Sequence, residues 1–220
     1  MPPEPDGIVR AMPVVLRIER DPLPARTPLL EAAATAAVAV CLHPWAQPGG
    51  EWHAAVETWV DGRIRKIARR ARGAHWAAVQ ELPGVTVEID GAQARALLPG
   101  PVDAVPKAVS RLQIGGTELE PDEPGPAPDG APLVLLNPHV TMTVGKAAAQ
   151  VGHASMILGA VRGWPVAQPD GVPRCAVRTP APREWDALLA ELATGGSDLV
   201  AVRDAGFTEV DPGTVTCLAR

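Results

Sequence analysis

Three polar side chains share one face of an otherwise apolar stretch. Lys146, Gln150 and His153 stand at i, i+4 and i+7 among Ala147, Ala148, Ala149, Val151 and Ala154. On a helix this spacing lines up an ammonium, an amide and an imidazole. A carboxylate, Asp204, follows directly on the apolar run that ends at Arg203. In an open α/β sheet, ligands bind at the carboxyl ends of the strands, beside the helix N-termini that follow them. Lys146, in the first turn of its helix, and Asp204 therefore meet if the strands before them are parallel neighbours. Such a set reads as a site. The alternative is a group of satisfied polar side chains at a sheet edge, and for His153 a structural histidine.

The elements that must place these groups alternate in type. Leu133–Leu136, Cys175–Arg178, Leu199–Arg203 and Thr214–Ala219 read as strands, Gly145–Ala160 and Pro182–Leu192 as helices. This alternation predicts an α/β fold with a mixed, mostly parallel sheet and helices on both faces. Before it lies an acidic stretch, residues 121–131. Pro121 to Pro132 holds five prolines and two glycines, too many for helix or inner strand. It reads as a linker between an N-terminal α/β part, residues 8–120, and a C-terminal domain, residues 132–220. In the N-terminal part, Val14–Arg20 alternates as a strand. Thr27-Pro28 reads as the cap and first turn of a helix to Leu42. A second helical stretch is expected over Trp52–Val79 with a break at Gly62, then a hairpin turning at Asp90-Gly91 and a short helix over Val105–Leu112.

The 220 residues are 46 % apolar, a globular composition. Six Trp, one Phe and no Tyr leave the packing to Ala, Val, Leu and Pro and disfavour a stacking platform for single-stranded bases. No leader is visible, and the most apolar run, Leu29–Leu42, is too short to span a bilayer. Cys41, Cys175 and Cys217 are odd in number and far apart, which fits a reducing cytoplasm. No histidine spacing suits a metal, and no cofactor is expected. There is no G-x-S-x-G. Gly145-Lys146 is not a phosphate loop, because Val140 stands where its first glycine belongs and Ala147 where a hydroxyl is needed.

Two segments resemble one known family. VTMTVGKAAAQVGHA, residues 140–154, is similar to the glycine-lysine helix motif of type 2 peptidyl-tRNA hydrolases. VRDAGFTEVDPG, residues 202–213, resembles that family's other signature, an Arg-Asp-Ala-Gly turn with a threonine and a later Pro-Gly. The resemblance covers residues 132–220. It implies a cytoplasmic, metal-free enzyme of translation that cleaves the ester between a peptide and tRNA on a mixed α/β sheet. It also makes Lys146, Gln150, His153, Asp204 and Thr208 the site residues. Ester hydrolysis needs an oriented water and a partner for the oxyanion. Asp204 suits the first role, and Lys146 at a positive helix end the second. Thr208 and Gln150 are placed to position water or the carbonyl, and which group is the base stays open. Phe207 stands where the family commonly has a basic residue, and Glu209 where glutamine is usual. The other reading is a non-catalytic RNA- or protein-binding relative.

The net charge of −5 conceals a local patch: Arg63, Arg65, Lys66, Arg69, Arg70 and Arg72 fall within ten residues. Read as a helix, this is either a solvated face or a set of tRNA phosphate contacts. Arg65–Ala74 also aligns without gaps on Gly145–Ala154, matching Lys66 to Lys146. The N-terminal part thus reads as a degenerate, inactive copy, in an intrachain pseudo-dimer or a homodimer. Chance similarity of two helices is the alternative.

Overall fold

The computed structural model describes residues 6–115, 118–195, 198–206 and 208–220. Strand β1 (Arg10–Arg17) leads to helix α1 (Arg26–Leu42). Helix α2 (His53–Asp61), strand β2 (Lys66–Ala71) and helix α3 (Gly73–Gln80) follow. The hairpin β3 (Gly84–Ile89) and β4 (Ala92–Leu97) turns at Asp90 and Gly91, both with positive φ, as a two-residue hairpin turn requires. A two-residue strand β5 (Gly100–Pro101) and a short helix α4 (Lys107–Ser110) complete the N-terminal part. The C-terminal part runs β6 (Leu133–Leu136), α5 (Val144–Val161), β7 (Ala176–Arg178), α6 (Pro182–Ala193), β8 (Val200–Arg203) and β9 (Val215–Ala219).

The fold is α/β with two mixed sheets. Their strand orders are β2-β1-β4-β3 and β7-β6-β9-β8, the same arrangement counted from each first strand. In both, the first and second strands are parallel and the remaining ladders are antiparallel, with β5 adding a short pair to β1 in the first sheet. Parallel pairing is thus less common than the strand–helix alternation suggested. Only the first-to-second connection crosses over through a helix to a parallel neighbour. β6 and β8 are not neighbours either. β9 lies between them, antiparallel to both, so their carboxyl ends still share one edge.

The layers repeat as well. Val14, Leu16, Ala94 and Ala96 face α1, while Val15 and Leu97 pack on Trp76, Val79 and Val109 of the outer helices. Val134, Leu136, Cys217 and Ala219 belong to the central core with α5, while Leu135 and Leu218 pack on Trp185 and Leu188 of α6. Helices α1 and α5 lie together between the two sheets, the most extensive contact of any two elements. Ala-rich α1 is apolar all round because it is covered on every side. Ser155 Oγ donates to the Ala34 carbonyl at 2.7 Å, and Gly152 lies across from Ala37, close enough that a Cβ there would crowd the Ala37 methyl at 3.1 Å. Among the described residues no helix is long and apolar enough to cross a membrane.

Three further sequence expectations change. The basic stretch is a strand, β2, rather than a helix. Pairing with β1 from Met12↔Lys66 to Arg17↔Ala71 overrides local propensity. The Lys66–Lys146 alignment fails with it, because Lys66 lies on a strand and Lys146 on a helix. Aligning the caps Ala25 and Thr143 instead sets Pro28, Ala32 and Thr35 opposite Lys146, Gln150 and His153. Finally, Thr27 is not a cap. The helix begins at Arg26, and the Asp122 carboxylate accepts from the Thr27 N–H and hydroxyl.

Candidate functional site

Thr143 caps α5, its hydroxyl accepting the Lys146 N–H at 3.2 Å. That fixes Lys146 in the first turn, where the unpaired N–H groups make the helix end positive. From there Lys146 Nζ reaches Asp204 Oδ2 at 2.5 Å and Thr208 Oγ1 at 3.0 Å. Gln150, one turn on, donates Nε2–H to the same Asp204 oxygen at 2.9 Å. Its own Oε1 accepts from Thr216, a buried hydroxyl on β9 that fixes the amide orientation. The Gly206 N–H donates to Asp204 Oδ1 at 2.8 Å. Gly206 has φ +76° and lies against Pro212, so the turn admits no side chain there. Asp204 is thus held by three donors, and the Lys146 and Asp204 side chains are only 10 % and 8 % exposed.

His153 belongs to the same cavity but not to this cluster. Its Nδ1 lies 3.1 Å from Nζ of Lys66, which comes from β2 of the N-terminal part and passes over the Trp59 ring. Burial, then the charges of Lys66 and Lys146, hold the His153 imidazole well below its usual range, so it is neutral at pH 7. Burial pushes the Lys66 ammonium down to about 7, with an opposing pull from Cys41. The two nitrogens share one hydrogen bond, whose donor follows the His153 tautomer.

Two contributors were not legible in the sequence. Glu209 accepts from both the N–H and hydroxyl of Thr143, at 2.8 and 2.7 Å, tying the loop after β8 to the start of α5. The second is Thr216. Neither lies in a helical or strand pattern with its partner, so only the fold brings them together. Phe207 lies outside the described residues.

The basic residues divide. Arg63, Arg65 and Lys66 line the cavity. Arg69 donates to the Leu112 carbonyl at 3.1 Å and Arg70 to the Gln113 side chain, so both brace the following loop. Arg72 is exposed at the start of α3. Arg203 also borders the cavity.

A carboxylate, an ammonium and a hydroxyl at the carboxyl edge of a mixed sheet, opening on a cavity of about 1000 Å3, define an α/β protein with an enzyme-like cleft. The family model of peptidyl-tRNA hydrolase PTH2 matches residues 133–220, the part that carries this cluster. The chain is similar to proteins named peptidyl-tRNA hydrolase from Thermococcus sibiricus (30 % identity over 96 residues, 40 % of this chain and 79 % of that one) and Haloquadratum walsbyi (34 % over 92 residues, 39 % and 80 %). A third such relative, from Methanopyrus kandleri, is 33 % identical over 91 residues, 39 % of this chain and 78 % of the other. No solved structure matches the chain significantly. The chain belongs to the PTH2 peptidyl-tRNA hydrolase family.

Proposed function

We propose that this chain hydrolyses the ester between a peptide and the terminal ribose of tRNA, acting on peptidyl-tRNA in translation in the cytoplasm. The observation that carries the reading is the cluster of Lys146, Asp204, Thr208 and Gln150 at the cavity mouth, inside the segment that matches the family. Lys146 donates to the Thr208 oxygen, so the Thr208 proton points onward, to water or to the carbonyl oxygen. Asp204, oriented by three donors, keeps one lone pair, on Oδ1, for an attacking water. The Lys146 ammonium and the positive end of α5 stabilise the oxyanion that forms. His153, a neutral imidazole, lines the same cavity. These groups supply acid, base and charge themselves, and the donors on both Asp204 oxygens occupy the places a cation would take.

For the tRNA, Arg63, Arg65 and Arg203 at the cavity edge are the proposed phosphate contacts, with Arg72 nearby on the surface. Lys66, Arg69 and Arg70 take part in packing instead. The N-terminal part, residues 8–120, is proposed to be a degenerate copy joined by linker 121–131 to the active unit 132–220, an intrachain pseudo-dimer. Incubating the purified chain with a peptidyl-tRNA tests the activity, with Asp204→Asn as control. Release of free tRNA by the wild type and a loss of about 10²-fold in the variant are expected. Binding without release, equal in both proteins, would leave a non-catalytic relative.

A further inference from the structure

The polar cluster fills only one end of the cavity. The rest is a groove running along α5 toward Val161, with a largely apolar lining. Ile64, Ile114, Ile157 and Val161 border it, each at least 36 % exposed. Four large apolar side chains gathered on one exposed groove are a binding feature rather than scattered surface residues.

The groove is also flanked by two sheet edges. β2 ends the first sheet and β8 ends the second. Among the described residues the β2 edge is open where it meets the groove. Met12 N–H donates to Arg65 O and Ile18 N–H to Ala71 O, so the odd-numbered residues of β2 face β1. The even-numbered ones face outward. Arg70 N–H uses this direction to reach Gln113 O, and its side chain is occupied there too. The outward N–H and C=O groups of Lys66 and Ala68 meet no backbone partner among the described residues. Both residues line the cavity.

We propose that the groove takes the peptide part of the substrate in extended form, as a strand added to β2 through the backbone of Lys66 and Ala68. The proposal rests on the reading of the polar cluster as the ester-cleaving end. Continuity of one cavity fixes the direction: the ester carbon lies at Lys146 and Asp204, and the peptide runs from it toward Val161. The length fits. The helix rises about 22 Å from Lys146 to Val161 at ~1.5 Å per residue, which matches about six or seven extended residues at ~3.3 Å each. Main-chain pairing recognises a peptide without demanding a sequence, and apolar walls disfavour charged side chains. The N-terminal part therefore supplies one wall of the substrate site although it carries none of the reacting groups.

The test uses the full chain and stable amide analogues, peptides of one to eight neutral residues on the 3′-amino group of 3′-amino-3′-deoxyadenosine. Calorimetric affinity should rise by at least ~10-fold, about 1.4 kcal/mol, between one and six residues and then level off. Ile157→Trp and Ala160→Trp, which fill the groove, should abolish that rise. Hydrogen exchange on the wild type provides a reading without variants: the Lys66 and Ala68 amides should slow with the longest analogue and not with the shortest. Affinity independent of length, or unchanged exchange at both amides, overturns the proposal. Length-dependent binding by a protein that releases no tRNA from peptidyl-tRNA would instead sink the catalytic reading and leave the peptide groove standing.

Discussion

Two units with one topology sit back to back in this chain, and only one carries the polar cluster. Where α5 presents Lys146, Gln150 and His153, α1 presents Pro28, Ala32 and Thr35. Where β8 and β9 are joined by a loop from Asp204 to Thr214 carrying Thr208 and Glu209, β3 and β4 are joined by Asp90-Gly91 alone. The strand registers extend the match. Val14 faces Ala68 and Ala96, and Val134 faces Val177 and Ala219, so Lys66 corresponds to Cys175. Lys66 meets His153, and in the other half the Cys175 N–H meets Thr35, the position matching His153, at 3.0 Å. The corresponding face of the first unit is also occupied. Asp122 binds Thr27, and Arg178 holds the Gly125 and Pro126 carbonyls as well as Glu31, so the acidic linker crosses it. A shared topology sets where a site can form. The loop between the last two strands and the first turn of the central helix decide whether it does.

The sharpest way to break this comparison is to mutate matched positions. Lys146→Ala and Asp204→Asn should each lower turnover of peptidyl-tRNA by about 10²-fold. Asp90→Asn, at the matched turn, should leave turnover unchanged, since asparagine tolerates the positive φ of that position. Equal effects in both units would mean that the first unit takes part in the chemistry.

Next in size is separation of the units. A fragment of residues 132–220 would expose the face of α5 that packs on α1, where Gly152, Ser155 and Gly159 meet Ala37, Ala34 and Val38. It should self-associate or precipitate, as seen by gel filtration, and recover on adding the N-terminal part. A monomeric, fully active fragment would contradict a shared core.

A smaller effect separates the basic residues. Arg63→Glu with Arg65→Glu should raise the Michaelis constant several-fold and flatten its salt dependence, with maximal turnover little changed. Arg69→Glu with Arg70→Glu should lower the melting temperature instead, because those guanidiniums hold the loop at Leu112 and Gln113. The reverse pattern would move the tRNA contacts to the outer part of β2.

The smallest expected effect concerns Lys66, which faces Cys41 from α1, Trp59 from α2 and His153 from α5, with Lys146 acting on the same histidine. Its ammonium, ordinarily at 10.5, is held at about 7 by burial. The unfolded chain therefore binds this proton more tightly than the folded one, so the cost to stability is full below pH 7 and fades as the pH rises toward 10.5. Lys66→Met should melt a few degrees higher than the wild type at pH 6, and the gap should close by pH 10. A constant difference across that range would place the lysine in solvent.

Much of the C-terminal unit was legible because its elements are marked locally. Leu133–Leu136 is a short apolar run, Pro182 begins a helix, and the Lys146–Gln150–His153 stripe shows on a helix otherwise made of small residues. The Asp90-Gly91 turn was legible for the same reason. Strand β2 was not, because Arg69 and Arg70 carry no strand signal and their positions depend on β1 and on Gln113, far away in sequence. The role of Glu209 was hidden likewise: its partner Thr143 lies 66 residues earlier, and only closure of the sheet brings them together. His153 was placed correctly on its stripe, but its partner Lys66 comes from the other unit.

The covalent link between the two units has a consequence for how the site can change. In a symmetric dimer of identical chains every substitution appears twice, once in each wall, so a side chain that suits the groove must also be tolerated at its mirror position. Here the mirror positions are encoded separately, with lysine at 66 and cysteine at 175, proline at 28 and lysine at 146. The pairing also does not weaken on dilution, because the partner cannot leave. One half is free to change its face while the other keeps the polar cluster, at any concentration of the protein.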